Sequence, residues 1–195
     1  MKTIVAASLL LLGLAGCATV SDSPDAGNAD AALFVAGKFG NTLSRIDLAS
    51  GRETARVPSC ANPHELATSP EGAHVALACY GGTALDIFRA ADLVRVKTIE
   101  LGERARPHGI QWHANGDLYA SAEGRQSVFW VRKPLSETPE AFEFATGKQG
   151  SHMLAVSPDA RHAWTTDLGS KTVTLIDLVT RRAPRSVEVG IEPEG

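Results

Sequence analysis

Histidine is the side chain whose charge changes nearest to neutral pH, and its neutral ring is a common metal ligand. Three histidines of this chain, His64, His108 and His152, recur at a constant interval of 44 residues. Each stands in a matching phrase: Asn62-Pro63-His64-Glu65, Arg106-Pro107-His108-Gly109 and Gly150-Ser151-His152-Met153. Glu194, in Glu192-Pro193-Glu194-Gly195, holds the same phase of the pattern. Three chemistries suit such a set. The rings can serve structure alone, one nitrogen donating and the other accepting a hydrogen bond from a neighbouring unit. They can hold an anionic or polar small molecule, since imidazole both donates and carries charge near neutral pH. They can also ligate a divalent transition metal such as Zn, Cu, Fe or Ni, with His64, His108 and His152 as ligands and a carboxylate such as Glu194 joining them.

Other chemical motifs are absent or incomplete. His64-Glu65-Leu66-Ala67-Thr68 opens like a zinc-protease helix motif but ends in Thr, and it lies in a strand-like run. There is no Gly-x-Ser-x-Gly elbow, and Gly147-Lys148 lacks the upstream glycine and the following hydroxyl of a phosphate-binding loop. Asp47 and Asp177 follow strand-like residues and precede loops, which assigns them to turn capping.

The elements that must position the histidines are short β-rich runs separated by turn signals. From His64 the order is HELATS, a turn at Pro70-Glu71-Gly72, HVALACY (74–80), ALDIF (84–88) and LVRVKTIEL (93–101). The same order returns as HGIQWH, Ala114-Asn115-Gly116, DLYASAE, SVFWVRK and EAFEFAT, and then as HMLAVS, Pro158-Asp159-Ala160, HAWTTDL, TVTLIDL and PRSVEVG. Before His64, AALFVAG, TLSRIDL and ETARVPS match the second, third and fourth runs of a unit. A period in the low forties with four strands per unit predicts an all-β chain, a β-propeller of four-stranded antiparallel blades. The divisions are 31–59 (an incomplete blade), 60–103, 104–147, 148–190, and 191–195 as the start of a next blade. A propeller closes by pairing its two ends, so about four blades are expected to be the N-terminal part of a longer ring.

Composition bounds the partners. With 19 basic and 22 acidic side chains, net charge −3 and no basic stripe, nucleic-acid binding is disfavoured. Aromatic residues are only 6% and fall in strand-like runs, which suits packing better than base stacking.

The N-terminus is a targeting segment. Lys2 precedes an apolar stretch, Ile4 to Leu14, too short to span a bilayer, and Leu14-Ala15-Gly16-Cys17 resembles the cleavage box of bacterial lipoproteins. That resemblance implies a signal peptide over 1–16 and lipidation of Cys17, with several acyl chains giving stable membrane anchoring. Ala18 stands where an Asp would imply retention at the inner membrane, so a periplasm-facing outer-membrane position is expected. Residues 17–30 are small, polar and acidic, and read as the lipidated cysteine and a flexible tether.

The repeat phrases resemble the YVTN-type β-propeller family, related in fold to lactonase-like seven-bladed propellers. The residues that carry the likeness are Ser69-Pro70-Glu71-Gly72 and Ser157-Pro158-Asp159 in one turn, Ile46-Asp47-Leu48 and Ile176-Asp177-Leu178 at a strand end, and the three histidine phrases. The blade with Trp112-His113-Ala114-Asn115-Gly116 departs from the pattern by lacking the Ser-Pro turn. The resemblance implies a seven-bladed ring, of which this chain would hold part. The first strand of each blade would lie nearest the axis, with His64, His108, His152 and Glu194 crowding one face of the channel. Tyr80, Glu123 and Asp167, at the ends of second strands, would join them as ligand-binding candidates. Cys60 and Cys79 would lie on that same face, where they can pair as a disulfide or remain free thiols. The expected function is a ligand- or partner-binding scaffold without a catalytic role of its own, its partner a small molecule or an envelope protein. Hydrolysis of the lactonase kind, and a metal or redox centre, are the alternatives.

Overall fold

The computed structural model describes residues 31–182 and 184–195. The expected signal peptide, Cys17 and tether lie outside the described residues. The chain forms antiparallel meanders laid side by side. The first sheet has three strands, β1 (Ala32–Gly37), β2 (Thr42–Asp47) and β3 (Arg52–Pro58). The second has β4 (Pro63–Thr68), β5 (His74–Cys79), β6 (Ala84–Arg89) and β7 (Arg95–Glu100). The third has β8 (Pro107–Trp112), β9 (Leu118–Ala122), β10 (Ser127–Arg132) and β11 (Glu140–Ala145), and the fourth β12 (Ser151–Val156), β13 (His162–Asp167), β14 (Thr172–Asp177) and β15 (Arg185–Glu188). Each sheet is paired in sequence order, and the first strands β4, β8 and β12 pack beside one another on the inner side. This is a β-propeller arrangement.

The apolar side chains are buried between sheets. Leu85, Ile87, Leu118 and Val131 join the second sheet to the third. Tyr119, Val128, Ala163, Ile176 and Leu178 join the third to the fourth, and Leu43, Leu77, Phe88 and Leu93 join the first to the second. The middle strands of the second sheet, β5 and β6, are therefore buried almost throughout, and apolar apart from His74, Asp86 and Arg89. Outer strands alternate, as in Glu140–Ala145, where only every second residue turns inward. Each fully buried Leu, Ile or Phe contributes roughly 1.5–3 kcal/mol, and none of it is available to a sheet standing alone.

Local chemistry sets the turns. Ser69 accepts from Gly72 N (2.8 Å) and its hydroxyl from His74 N (3.1 Å), and Ser157 repeats both roles toward Ala160 and His162. In the blade that lacks the Ser-Pro turn, His113 takes the serine's place: its carbonyl accepts from Gly116 N, its Nδ1 accepts from Asn115 N, and its Nε2 lies 3.1 Å from the Ser157 carbonyl. Asp177 Oδ1 accepts from Thr180 N and Asp47 Oδ1 from Ser50 N, the expected turn caps.

Three features aim the first residues of each inner strand. First, the residue two before each repeat position has a positive φ: Asn62 (50°), Arg106 (48°), Gly150 (69°) and Glu192 (52°). Second, pairing slips by one residue just after that point in all three inner strands, between Pro63 and Leu66, Pro107 and Ile110, and Ser151 and Leu154. Such a bulge turns one side chain out of the regular alternation. Third, a glycine follows each second strand. A Cβ on Gly81 would stand 2.9 Å from the Ala61 carbonyl oxygen, one on Gly124 would overlap that of Arg104, and one on Gly169 would meet Gln149 at 2.9 Å. The two loops are hydrogen-bonded there, Gly81 N to Ala61 O and Gly169 N to Gln149 O, both 3.0 Å. Cys60 and Cys79 form a disulfide (Cα–Cα 5.6 Å) that ties the same two loops in the second sheet. Closing a loop of this size contributes about 3 kcal/mol.

Gly124→Ala is expected to destabilise the protein by about 2 kcal/mol in urea unfolding, because the loop carrying Arg106 must shift. Gly190→Ala, which meets nothing within 4 Å among the described residues, is expected to stay within about 0.5 kcal/mol of the parent. Equal effects would remove the close approach as the cause.

Candidate functional site

The bulges send His64, His108 and His152 into one column. Ring centroids lie 3.9 Å apart between His64 and His108, and 3.7 Å between His108 and His152, with interplanar angles of 43° and 32°. Gly109 permits the tighter step. A side chain there would press on the His152 carbonyl and Met153 Cα, and instead Gly109 N donates to Ser121 Oγ (2.8 Å), whose hydroxyl donates on to the His152 carbonyl. The column walls an open cavity of about 500 Å³ that Lys38, Tyr80, Glu123, Leu168 and Glu194 also line.

Each ring has a different hydrogen-bonding state. The Lys38 ammonium donates to His64 Nε2 at 2.6 Å, while His64 Nδ1 lies 3.4 Å from Glu65. His152 faces carboxylates on both sides, Nδ1 to Glu123 Oε1 at 2.5 Å and Nε2 to Glu194 Oε2 at 2.9 Å. Both of its ring nitrogens are thus engaged by carboxyl groups. His108, between them and 3% exposed, has a buried Nδ1 with no hydrogen-bond partner among the described residues. Burial, followed by the charges of His152, His64 and Lys38 and opposed by Glu123, pushes its pKa down to about 4. The neutral form of His108 therefore separates the two neighbouring rings.

Glu123 is held from both sides. Its second oxygen accepts from Tyr80 Oη at 2.7 Å, and Arg106 donates to that phenol while its guanidinium lies 4.5 Å from the ring centre. Burial raises the Glu123 pKa, but the bonds from His152 and Tyr80 outweigh it and leave the carboxyl below its ordinary value. Burial, and then Glu123, push the Tyr80 phenol up.

The structure brings together His64, His108, His152, Glu194, Tyr80 and Glu123. It does not bring Asp167 with them, and this corrects the expectation from the strand ends. Asp167 is the last residue of β13, paired with Ser151, and its carboxylate accepts from Ser151, Thr172 and Thr174 in a fully buried network. The position equivalent to Tyr80 and Glu123 is Leu168, one residue later, and one step along a strand reverses the face. The same register places Lys38 directly after β1, where it reaches the cavity, although sequence reasoning passed it over. The signal was present: Lys38 follows Gly37 as Tyr80 follows Cys79. The three histidines do not converge on one point either. Stacked rings hold their in-plane lone pairs side by side, and the close donor groups that include a histidine each join two histidines to a carboxylate: His64, Glu65 and His108, or His108, Glu123 and His152. This corrects the three-imidazole metal set.

Solved structures share this architecture. The chain is similar to Kuenenia stuttgartiensis hydrazine synthase (19% identity, TM-score 0.70, covering 83% of this chain and 47% of that one). It is similar to a putative 6-phosphogluconolactonase from Bacteroides uniformis (15%, 0.67, 82% and 52%) and to the Cps50 (Swd1) β-propeller domain of Myceliophteria thermophila (16%, 0.61, 84% and 57%). At these identities the likeness shows the fold alone, a β-propeller. The chain spans about half the length of these structures. No protein-family model and no curated protein matches the sequence.

A histidine with a folded pKa near 4 and an unfolded one near 6.5 binds fewer protons when folded between those values. Its contribution is complete above about pH 6.5 and is lost as pH falls toward 4. The His108 ring is expected to titrate near pH 4 by NMR, and urea midpoints of His108→Gln to fall less steeply than the parent's from pH 6.5 to 4. A His108 titration near 6.5 would remove the electrostatic isolation argued here.

Proposed function

We propose that this chain is a lipid-anchored β-propeller of the cell envelope whose histidine-lined cavity binds a small polar ligand, with no catalytic role of its own. It faces the periplasm and is held at the outer membrane through Cys17. The observation that carries the binding role is the rigid column His64-His108-His152 at the wall of an open cavity of about 500 Å³. Small-ligand sites typically occupy about 300–1,000 Å³. Its polar groups are fixed in advance by one another, so little side-chain ordering remains to oppose binding. Lys38 supplies positive charge, while Glu65, Glu123 and Glu194 supply acceptors, which favours a ligand bearing both an anionic and a hydrogen-bond-donating group.

Hydrolysis of the lactonase kind is the second reading, favoured by Glu123, held at 2.5 Å from His152, whose carboxylate could act as a base toward water. A nucleophile of the protein's own is not offered there. Among the described residues Tyr80 is the cavity's one hydroxyl, and Cys60 and Cys79 are bonded to each other.

A thermal-shift panel of hydroxy acids, sugar phosphates, amino acids and lactones tests the reading. A ligand at a hundredfold excess over its Kd contributes about 2.7 kcal/mol, a rise in Tm of about 5–10 °C for a chain of this size. His108→Ala is expected to abolish that rise. A panel without any shift would refute the binding role for these classes, and lactone turnover without added metal would establish the hydrolase instead. For the anchor, Cys17→Ser is expected to lose fatty-acid labelling and move the protein from the membrane fraction to the soluble one. Unchanged labelling would overturn it.

A further inference from the structure

We propose that His108, Glu123 and His152 form a binding site for one divalent transition-metal ion, with its remaining coordination positions open to the cavity. This deepens the binding role above and rests on it, because the ion would then be the feature that grips a ligand's anionic group.

One donor atom from each of the three residues lies within 4.8 Å of the other two. The edge of a tetrahedral site with bonds of 2.0–2.1 Å is about 3.4 Å, so closure asks each donor to move by about 1 Å, within the reach of side-chain torsions. The supports are already built. His152 Nε2 faces Glu194 at 2.9 Å, the carboxylate-to-histidine arrangement that orients a metal-bound ring, and this leaves Nδ1 for the ion. Glu123 keeps one oxygen on Tyr80 at 2.7 Å, which leaves the other for the ion. His108 brings a nearly buried ring whose Nδ1 has no partner among the described residues, a cost that ligation or an altered ring orientation would relieve. The proton now between His152 Nδ1 and Glu123 leaves to solvent as the ion takes its place.

The neighbouring group of His64, Glu65 and His108 is disfavoured, because the Lys38 ammonium already occupies His64 Nε2 at 2.6 Å and would repel a cation. A third group, Cys60, Cys79 and Asp86, offers no thiolate, since its cysteines are joined. Two imidazoles and one carboxylate suit Zn²⁺, Co²⁺, Ni²⁺ or Fe²⁺ over Ca²⁺ or Mg²⁺.

The test uses the full chain in detergent, stripped with chelator and titrated with Zn²⁺ by calorimetry and with Co²⁺ by visible absorption. One ion per chain is expected, with Co²⁺ bands of low coordination number. Glu123→Gln should weaken binding at least a hundredfold and Glu194→Gln about tenfold, while His64→Gln changes it less than threefold. Tyr80→Phe, which frees Glu123 without removing a ligand, should weaken it up to tenfold and guards against a variant that fails to fold. Absent stoichiometric binding, or binding that depends on His64 and not on Glu123, overturns the site. The ligand panel run on the stripped protein separates the two readings. Shifts that persist there and depend on His108, without metal uptake, leave the binding role and remove the metal, whereas loss of both removes both.

Discussion

The structure depends on burial between neighbouring sheets. The apolar clusters each span two neighbouring sheets: Leu85 and Ile87 of one sheet share a cluster with Leu118 and Val131 of the next. That burial fixes the spacing of the inner strands, and the spacing of the inner strands fixes the separation of the histidines. A column of imidazoles under 4 Å apart is thus a consequence of how far apart Leu, Ile and Phe hold the sheets, refined by Gly109 where β8 and β12 approach most closely. The dependence is cooperative, as expected of repeats that bury their faces only against each other.

Within the column, identical residues at equivalent positions have been driven to different states by what surrounds them. His64 meets an ammonium, His152 meets two carboxylates, and His108 meets chiefly other rings. The repeat supplies symmetry, and the residues that follow the second strands, Lys38, Tyr80, Glu123 and Leu168, break it. Those four lie at one structural position and run from cation through phenol and carboxylate to hydrocarbon. The polarity of the cavity therefore changes from one blade to the next.

Much of the fold was legible in advance. Strands, turns and the three histidine phrases could be read because each repeats, and repetition averages out the ambiguity of any single short apolar run. Even the departing turn around Asn115 keeps its shape, since the His113 carbonyl accepts from Gly116 N the bond that the Ser69 and Ser157 carbonyls accept in the other two blades. The departure at Asp167 is one of phase. Asp167 was grouped with Glu123 although it stands one residue earlier, and that step exchanges the cavity for a buried network with Thr172 and Thr174. Lys38 was passed over because the first sheet has no histidine to draw attention to its loop.

By itself the sequence determined the all-β repeat, its period, the turn chemistry and which residues recur at the head of each inner strand, because these are properties of local pattern. Only the tertiary structure decided which of those residues meet, in what register and in what protonation state. The bulge after Pro63, Pro107 and Ser151 rotates each histidine out of the strand's alternation, and partners as distant as Glu123 and Glu194 converge on His152 through packing between blades. A one-residue slip costs nothing in a local pattern, yet it reverses a side chain's direction, so direction is set where the blades come together.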